Sequence, residues 1–179
     1  MRLKKTVVLV GLMGAGKTAV GTALARKLSV PFLDSDEEIT KAANMSIAEI
    51  FARDGEPFFR QKEAQVIARL LQAEPGILST GGGAFLAAEN RQEIARHGVS
   101  VWLQADLDLL WNRVRHKDTR PLLRTADPYG KLSALFHARM PFYAQADLAV
   151  RAEPRYSIDD MAEAVIAALK TRPDVLEAV

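Results

Sequence analysis

The chain has 179 residues, of which 49% are hydrophobic and 26% charged, a balance typical of a folded globular domain rather than a disordered, collagen-like or coiled-coil chain. It contains no cysteine, which excludes disulfides, iron–sulfur clusters and thiolate catalysis, and no apolar run approaches the ~20 residues that a membrane span needs. The 24 basic and 22 acidic residues leave a net charge of only +2, a weak excess for a nucleic-acid-binding protein.

Short apolar runs alternate with longer amphipathic ones along the chain. The apolar runs predict strands at 6–10, 31–33, 76–80, 99–103 and 148–151. The amphipathic runs predict helices at 17–28, 47–51, 61–71, 89–97, 107–114, 132–140 and 158–170. This alternation predicts a parallel sheet covered by helices on both faces, with ligands bound beyond the carboxyl ends of the strands.

The expected organisation is a single domain over residues 1–170. We expect Pro141 to end the penultimate helix, because proline interrupts helical hydrogen bonding. Residues 115–127 are basic and contain Pro121, which predicts a flap or lid, and residues 171–179 are expected to be a frayed tail.

A phosphate-binding loop is the strongest signal in the sequence. Residues 11–18, Gly-Leu-Met-Gly-Ala-Gly-Lys-Thr, match the pattern G-x-x-x-x-G-K-[ST] between a predicted strand and a predicted helix. The glycines allow backbone N–H groups to turn inward toward phosphate oxygens, at the start of a helix that also attracts anions. Lys17 is expected to reach the outer phosphates and Thr18 to place its hydroxyl on Mg²⁺. The loop predicts a nucleoside triphosphate with Mg²⁺, and it does not name the acceptor.

Two acids, Asp34 and Asp36, follow the second predicted strand. In an extended segment residues i and i+2 share a face, so one carboxylate could assist the metal through water while the other accepts the proton of a substrate hydroxyl. The alternative is that Ser35 or Asp36 caps the next helix. The position after a phosphate loop, at the carboxyl end of the next strand, favours a functional role for Asp36.

Glycines and arginines supply the remaining candidates. Residues 81–83 are three glycines after the third strand, which favours close approach of a ligand to the backbone. Arg60 and Arg139 present forks that suit a carboxylate, although Arg60 could instead pair with Glu63 and Arg139 could complement a helix C-terminus. Arg120 in the flap could close over transferring phosphates or belong to a solvated loop.

Together these segments resemble the shikimate kinase family over about residues 4–170. The resemblance is carried by the phosphate loop, Asp34-Ser35-Asp36, Gly55-Glu56 with Phe59-Arg60, Ser79 to Gly83, Arg120-Pro121-Leu122-Leu123, and Arg139 with Pro141 and Tyr143. It implies a nucleoside-monophosphate-kinase-like P-loop fold, a three-layer α/β/α arrangement with a five-stranded parallel sheet and a mobile lid. It also implies Mg²⁺-dependent transfer of the γ-phosphoryl group of ATP to the 3-hydroxyl of shikimate, on the route to chorismate and the aromatic amino acids.

The resemblance further implies a role for each matching residue. Catalysis would fall to Lys17, Arg120 and Asp36, the candidate base, which would also bind the ring hydroxyls. The carboxylate of shikimate would be held by Arg60, Arg139 and the backbone of Gly82. The ATP phosphates would be held by Gly14, Ala15, Gly16, Lys17, Thr18, Ala19 and Arg120. Thr18 would bind Mg²⁺, and Asp34 would reach it through water. The adenine would contact Arg113 and Arg155.

Other functions stay open at this point. A gluconate kinase or a nucleoside monophosphate kinase has a similar fold, and a non-catalytic ATP-binding regulatory module would keep the phosphate loop. Intact Lys17, Thr18, Asp36 and Arg120 argue against such a module. A nucleic-acid-binding ATPase is suggested only by the isoelectric point near 9.0. We expect a cytoplasmic monomer without a signal peptide, acting on small molecules rather than on nucleic acid or membranes.

Overall fold

The computed structural model describes residues 1–116 and 125–179 of the chain. The strands are β1 (Arg2–Leu3), β2 (Thr6–Val10), β3 (Phe32–Asp34), β4 (Ile77–Ser79), β5 (Gly98–Gln104), β6 (Leu148–Arg151) and β7 (Leu176–Glu177). The α-helices are α1 (Lys17–Leu28), α2 (Ser35–Ala43), α3 (Ile47–Asp54), α4 (Glu56–Leu71), α5 (Ala88–His97), α6 (Leu107–Val114), α7 (Pro128–Tyr143) and α8 (Ile158–Leu169). The predicted lid residue Arg120 lies outside the described residues.

Five parallel strands form the central sheet in the order β3-β4-β2-β5-β6. The middle strand, β2, is buried along its whole length, and Val8 pairs with Leu78 on one side and Ser100 on the other. The chain moves across the sheet in one direction through α1 and in the other through α5, so right-handed connections place these helices on opposite faces. α8 packs against α1, and α4 packs against α5. The predicted three-layer architecture with a five-stranded parallel sheet is therefore confirmed.

The sheet brings the predicted site segments to one edge. Asp34 at the end of β3 is in register with Ser79 at the end of β4, and Ser79 is in register with Leu9 of β2. The phosphate loop, the acidic segment and the three glycines therefore begin side by side, at the edge where parallel sheets bind ligands.

Two helices that follow the acidic segment are longer than predicted. α3 ends at Asp54 and is capped by Gly55, whose φ of 84° is in the left-handed region that favours glycine. α4 begins immediately afterwards, with Pro57 in its first turn, where a missing N–H carries no penalty. Arg60 consequently lies on the second turn of a 16-residue helix rather than in a connection.

The expectation that Pro141 ends a helix is wrong. α7 continues through Pro141 to Tyr143. Proline removes the hydrogen bond to the carbonyl four residues earlier and crowds that carbonyl, but Pro141 lies in the last turn of α7, where little helix is left to interrupt, and His137 is an exposed residue.

The expectation of a frayed tail is also wrong. β7 pairs antiparallel with β1, and Val175 and Leu176 are 0% and 4% exposed. The side chains of Arg172 and Lys5 bond the carboxylate of Asp174 and hold its pKa well below the ordinary value. The tail is thus a structural element that ties the two ends of the chain together.

No helix within residues 1–116 or 125–179 has both the length and the hydropathy of a membrane span.

Candidate active site

A cavity of about 920 Å³ opens at the carboxyl ends of β2, β3 and β4. Most of the predicted site residues line it: the run 14–19, Asp34, Asp36, Arg60, Gly82, Arg113 and Arg139. The sequence placed these residues on separate segments, and the fold brings them to one cavity.

The phosphate loop is shaped by its glycines. Gly14 and Gly16 have φ of 85° and 93°, and Gly16 occupies the N-cap position of α1. α1 has no acidic side chain in its first turn, so its N-terminus keeps its attraction for anions. The Lys17 ammonium donates to the carbonyl of Gly11 across the loop. The loop therefore lines the cavity with the start of α1 and with Lys17, two features on which phosphate binding depends.

Arg113 reaches the phosphate loop from α6. Its Nη1 donates to the carbonyl of Gly14 at 3.0 Å, and burial lowers the pKa of its guanidinium. A Cβ on Gly14 would lie 2.7 Å from Cγ1 of Val114, so glycine is also needed for α6 to approach. In this structure Arg113 thus supports the loop, and a stacking role against adenine stays a prediction.

The cap of α2 is Asp34, not Ser35 or Asp36. One carboxylate oxygen of Asp34 accepts from the backbone N–H of Asp36 at 2.8 Å and of Glu37 at 3.3 Å. The capping alternative is therefore correct for the segment but falls on its first residue. The other carboxylate, Asp36, is free of the cap and faces the cavity.

The carboxyl of Asp36 is partly buried and lies near two positively charged side chains. Burial raises the pKa of its carboxyl, and the negative charge of Asp34 adds to the rise. The positive charges of Lys17 and Arg60 oppose it. Asp36 is therefore within electrostatic reach of both Lys17 of the phosphate loop and Arg60.

The three glycines at 81–83 each face one functional side chain. A Cβ on the first would lie 2.8 Å from Oδ1 of Asp36, on the second 2.5 Å from Nη1 of Arg139, and on the third 2.5 Å from Nη2 of Arg60. None of the three has a positive φ, so backbone conformation does not demand glycine here. A side chain at any of the three positions would displace the charged group that now occupies the space of its Cβ atom.

Arg60 also forms the ion pair that the sequence left as an alternative. Its Nη1 is 2.9 Å from Oε1 of Glu63, a side chain only 1% exposed, and its Nε is 3.5 Å from Glu56. Burial raises the pKa of Glu63, and Arg60 opposes that rise. The pairing orients the guanidinium while it lines the cavity, so it is compatible with binding a carboxylate, which stays a prediction.

Tyr143 does not line the cavity but bonds Gly82, which does, and the sequence assigned it no role beyond its place in a motif. Its hydroxyl donates to the carbonyl of Gly82 at 2.7 Å, and its side chain is 3% exposed. The spacing of four residues from Arg139 on a helix was the only signal that could have placed it beside the cavity.

The end of the cavity beyond the phosphate loop is lined by Ala152, Tyr156 and Ile158. Arg155 is not part of this lining; it is exposed, and its Nε bonds Glu153 at 2.7 Å. A contact of Arg155 with adenine stays a prediction that this arrangement does not support.

The donor set suits a magnesium ion held mainly by phosphate oxygens and water. Among the described residues no cluster of three His, Cys, Asp or Glu side chains could hold a metal alone. Thr18 at the start of α1 and the carboxylate of Asp34 both line the cavity. Mg²⁺ is commonly bound in this way, with few protein ligands and the rest from substrate phosphates.

Comparison with known proteins identifies the family. A family model described as Shikimate kinase matches residues 13–170. The shikimate kinase of Ruegeria pomeroyi is 69% identical over 175 residues, 98% of this chain and 90% of the relative, and that of Cereibacter sphaeroides is 69% identical over 176 residues, 98% and 88% of the two chains. A solved shikimate kinase from Acinetobacter baumannii in complex with shikimate has a TM-score of 0.85 at 35% identity, with 93% of each chain covered. These matches agree with the resemblance drawn from the motifs and not with the alternatives: the chain belongs to the shikimate kinase family.

Proposed function

We propose that the cavity is the active site of an ATP-dependent kinase that phosphorylates the 3-hydroxyl of shikimate. The family uses ATP as its co-substrate, and the Acinetobacter relative was solved with shikimate. The observation that carries the proposal is the position of Asp36, within electrostatic reach of both Lys17 and Arg60, while Arg139 stands over the neighbouring Gly82. A ring with one carboxylate and adjacent hydroxyls matches two arginines and an acceptor carboxylate.

The arginines would bind the carboxylate of shikimate. Arg60 and Arg139 lie against adjacent glycines, so their forks can converge on one anion, and the backbone N–H of Gly82 would add a donor. An acceptor without a carboxylate would give these guanidinium and N–H donors no anion to bind, which discriminates between substrates.

Asp36 would take the proton of the attacking hydroxyl. Its raised pKa makes it a stronger base than an exposed aspartate. The hydroxyl oxygen forms a bond to the γ-phosphorus, the bond from that phosphorus to the bridging oxygen breaks, and ADP leaves with the electron pair. The proton passes to a carboxylate oxygen of Asp36. Lys17 would stabilise charge on the phosphates, and Arg120 of the lid is proposed to do the same from outside the described residues.

Thr18 and Asp34 would hold the magnesium ion, Thr18 through its hydroxyl and Asp34 through water. The ion supplies neutralisation of the charge that develops on the transferring phosphates. The free oxygen of Asp34 suits this role, since its other oxygen caps α2.

ADP release measured with Mg²⁺-ATP and shikimate, gluconate or nucleoside monophosphates tests the proposal. We expect release only with shikimate, dependence on Mg²⁺, and a product heavier by one phosphoryl group. Lys17→Ala should abolish turnover, and Arg139→Ala should mainly raise the KM for shikimate. Arg96→Ala is the matched control, because Arg96 is an exposed arginine on α5 that pairs only with Glu93 among the contacts described.

Each contrary outcome has a separate meaning. An unchanged KM for shikimate in Arg139→Ala contradicts the carboxylate clamp. Release with another acceptor contradicts the substrate and keeps the phosphate loop. ATP binding without turnover on any acceptor favours the non-catalytic module.

We also propose that the enzyme is a cytoplasmic monomer that needs no nucleic acid or membrane. One chain supplies the phosphate loop, Asp36, Arg60 and Arg139 that line the cavity. Elution at the mass of one chain in size-exclusion chromatography is the expected result, and a dimer would contradict it.

A further inference from the structure

Tyr143 joins the two groups that are proposed to bind the carboxylate of shikimate. It is the last residue of α7, and its hydroxyl donates to the carbonyl of Gly82 at 2.7 Å. The ring is buried, with the ring of Trp102 on β5 at 6.2 Å between centroids. The hydroxyl is therefore held by the sheet and the helix together, at a fixed distance from the glycines.

The guanidinium of Arg139, one helical turn earlier, lies close to the same hydroxyl. A Cβ on Gly82 would lie 2.5 Å from Nη1 of Arg139 and 3.9 Å from the oxygen of Tyr143, so the three groups meet around one point. A hydroxyl has one donor and two acceptor lone pairs. It can donate to the Gly82 carbonyl and accept from the Arg139 guanidinium at once, and Arg139 opposes the rise that burial gives to the pKa of Tyr143.

The glycine segment needs such an anchor. Three consecutive glycines have no side chain of their own to pack, and their backbone loses more conformational freedom on ordering than that of other residues. The turn is closed by the N–H of Ala84, which donates to the carbonyl of Gly81 at 3.1 Å. Within this turn, the carbonyl of Gly82 is fixed by the hydroxyl of Tyr143. Burial raises the pKa of Tyr143, so the phenol stays protonated and keeps donating across the neutral range.

We propose that Tyr143 is a positioning residue for the carboxylate subsite, which aligns the Gly82 peptide with the guanidinium of Arg139 so that both can bind one anion. The inference rests on the proposed function. It predicts a specific defect in shikimate binding rather than in phosphoryl transfer.

Steady-state kinetics of Tyr143→Phe test this inference. We expect the KM for shikimate to rise about tenfold, which corresponds to about 1.4 kcal/mol, while kcat and the KM for ATP stay within about twofold. The magnitude is that of one buried hydrogen bond whose carbonyl partner is left behind. Tyr129→Phe is the matched control: Tyr129 lies on the same helix, is 42% exposed, and contacts the ring of Trp111 edge-on.

An analogue of shikimate in which the carboxylate is reduced to a hydroxymethyl group separates positioning from general damage. Wild type and Tyr143→Phe should have the same KM for this analogue, because the aligned groups have no carboxylate to bind. An equal penalty for both acceptors, or no penalty for shikimate, would overturn the inference. Failure of the wild type to use shikimate would instead overturn the proposed function, and the inference with it.

A second variant keeps the test decisive if Tyr143→Phe unfolds. A fluorinated tyrosine incorporated at position 143 keeps the ring and the hydroxyl but ionises at lower pH. Its KM for shikimate should rise with pH as the donor is lost, while the KM of the wild type stays constant. Parallel pH profiles would contradict the role of the hydroxyl.

Discussion

Adding one methyl group at Gly83 should displace Arg60 without straining the backbone. Gly83 has φ −93° and ψ −9°, a conformation that any residue adopts. An ideal Cβ there would lie 2.5 Å from Nη2 of Arg60 and 2.9 Å from both Cζ and Nη1. Since carbon contacts are comfortable only near 3.5 Å, the guanidinium must retreat by about 1 Å.

The retreat is opposed by the ion pair with Glu63. Nη1 of Arg60 is 2.9 Å from a carboxylate that is only 1% exposed, and separating a buried pair leaves an uncompensated charge. We therefore expect the guanidinium to move only as far as the pair allows. A misplacement of about 1 Å costs roughly 100-fold in well-positioned sites, so Gly83→Ala should raise the KM for shikimate about 10- to 100-fold. The free energy of unfolding should fall by only about 1–2 kcal/mol, as for modest overpacking.

A double variant decides whether the collision is the cause. In an Arg60→Ala background the space beside residue 83 is empty, so adding Gly83→Ala should change the KM for shikimate no further. The KM for ATP should be the same in all the variants. An unchanged KM in Gly83→Ala alone, or the same fold-change in both backgrounds, would refute the reasoning.

Three further predictions concern charge, a buried hydroxyl and the tail. Asp36→Asn should lower kcat by about 10²- to 10⁴-fold and yet be more stable than the wild type at pH 7, because a raised pKa means that folding disfavours the charged carboxyl. The extra stability of Asp36→Asn should shrink as the pH falls through the raised pKa of Asp36 and vanish below the ordinary value of 3.8. Thermal unfolding of both proteins across pH measures this difference in stability, and a difference that does not change with pH would contradict the prediction. Ser35→Ala should raise the free energy of unfolding in urea by about 1 kcal/mol, because Oγ of Ser35 is buried and has no hydrogen-bond partner among the described residues; a loss of stability would mean that the hydroxyl has a buried water as partner. Leu176→Ala should lower the free energy of unfolding by about 2–3 kcal/mol, because Leu176 is buried. A change below about 0.5 kcal/mol would mean that the tail is frayed after all.

The fold was predictable wherever local pattern and tertiary packing agree. β2 is a run of β-branched and apolar residues buried on both faces, and the strand–helix alternation leaves few topologies for a parallel sheet. The tail was not predictable because its partner, β1, lies at the other end of the chain and each strand has only two residues. Pro141 was wrongly predicted to end α7, because the hydrogen bond that it removes lies in the last turn of the helix, beside the exposed residue His137. A sequence pattern does not reveal that exposure.

Motifs in the sequence predicted most of the residues that line the cavity. They did not predict which side chains lie against the three glycines at 81–83. Residues 81–83 were interpreted as a bare backbone that a ligand can approach. The three glycines do line the cavity, and close approach of a ligand stays a prediction. The structure adds that Asp36, Arg139 and Arg60 occupy the three Cβ positions, which depends on how β4, α2, α4 and α7 meet. Contacts between distant elements leave no periodic signal in the sequence, and Tyr143 escaped assignment for the same reason.

The two helices that carry Asp36 and Arg60 also hold buried polar atoms without a hydrogen-bond partner in the part of the chain that the structure describes, which lowers stability. The two buried side-chain atoms without a hydrogen-bond partner among the described residues are Oγ of Ser35 on α2 and Oε2 of Glu63 on α4. They flank Asp36 and Arg60, the acid and the cation that line the cavity on the same two helices. Native proteins leave few such atoms unsatisfied, and sites that need a buried base and a fixed cation commonly trade stability for that geometry. Glu63 illustrates the exchange: one of its oxygens holds Arg60 in place, and the other is desolvated as a consequence.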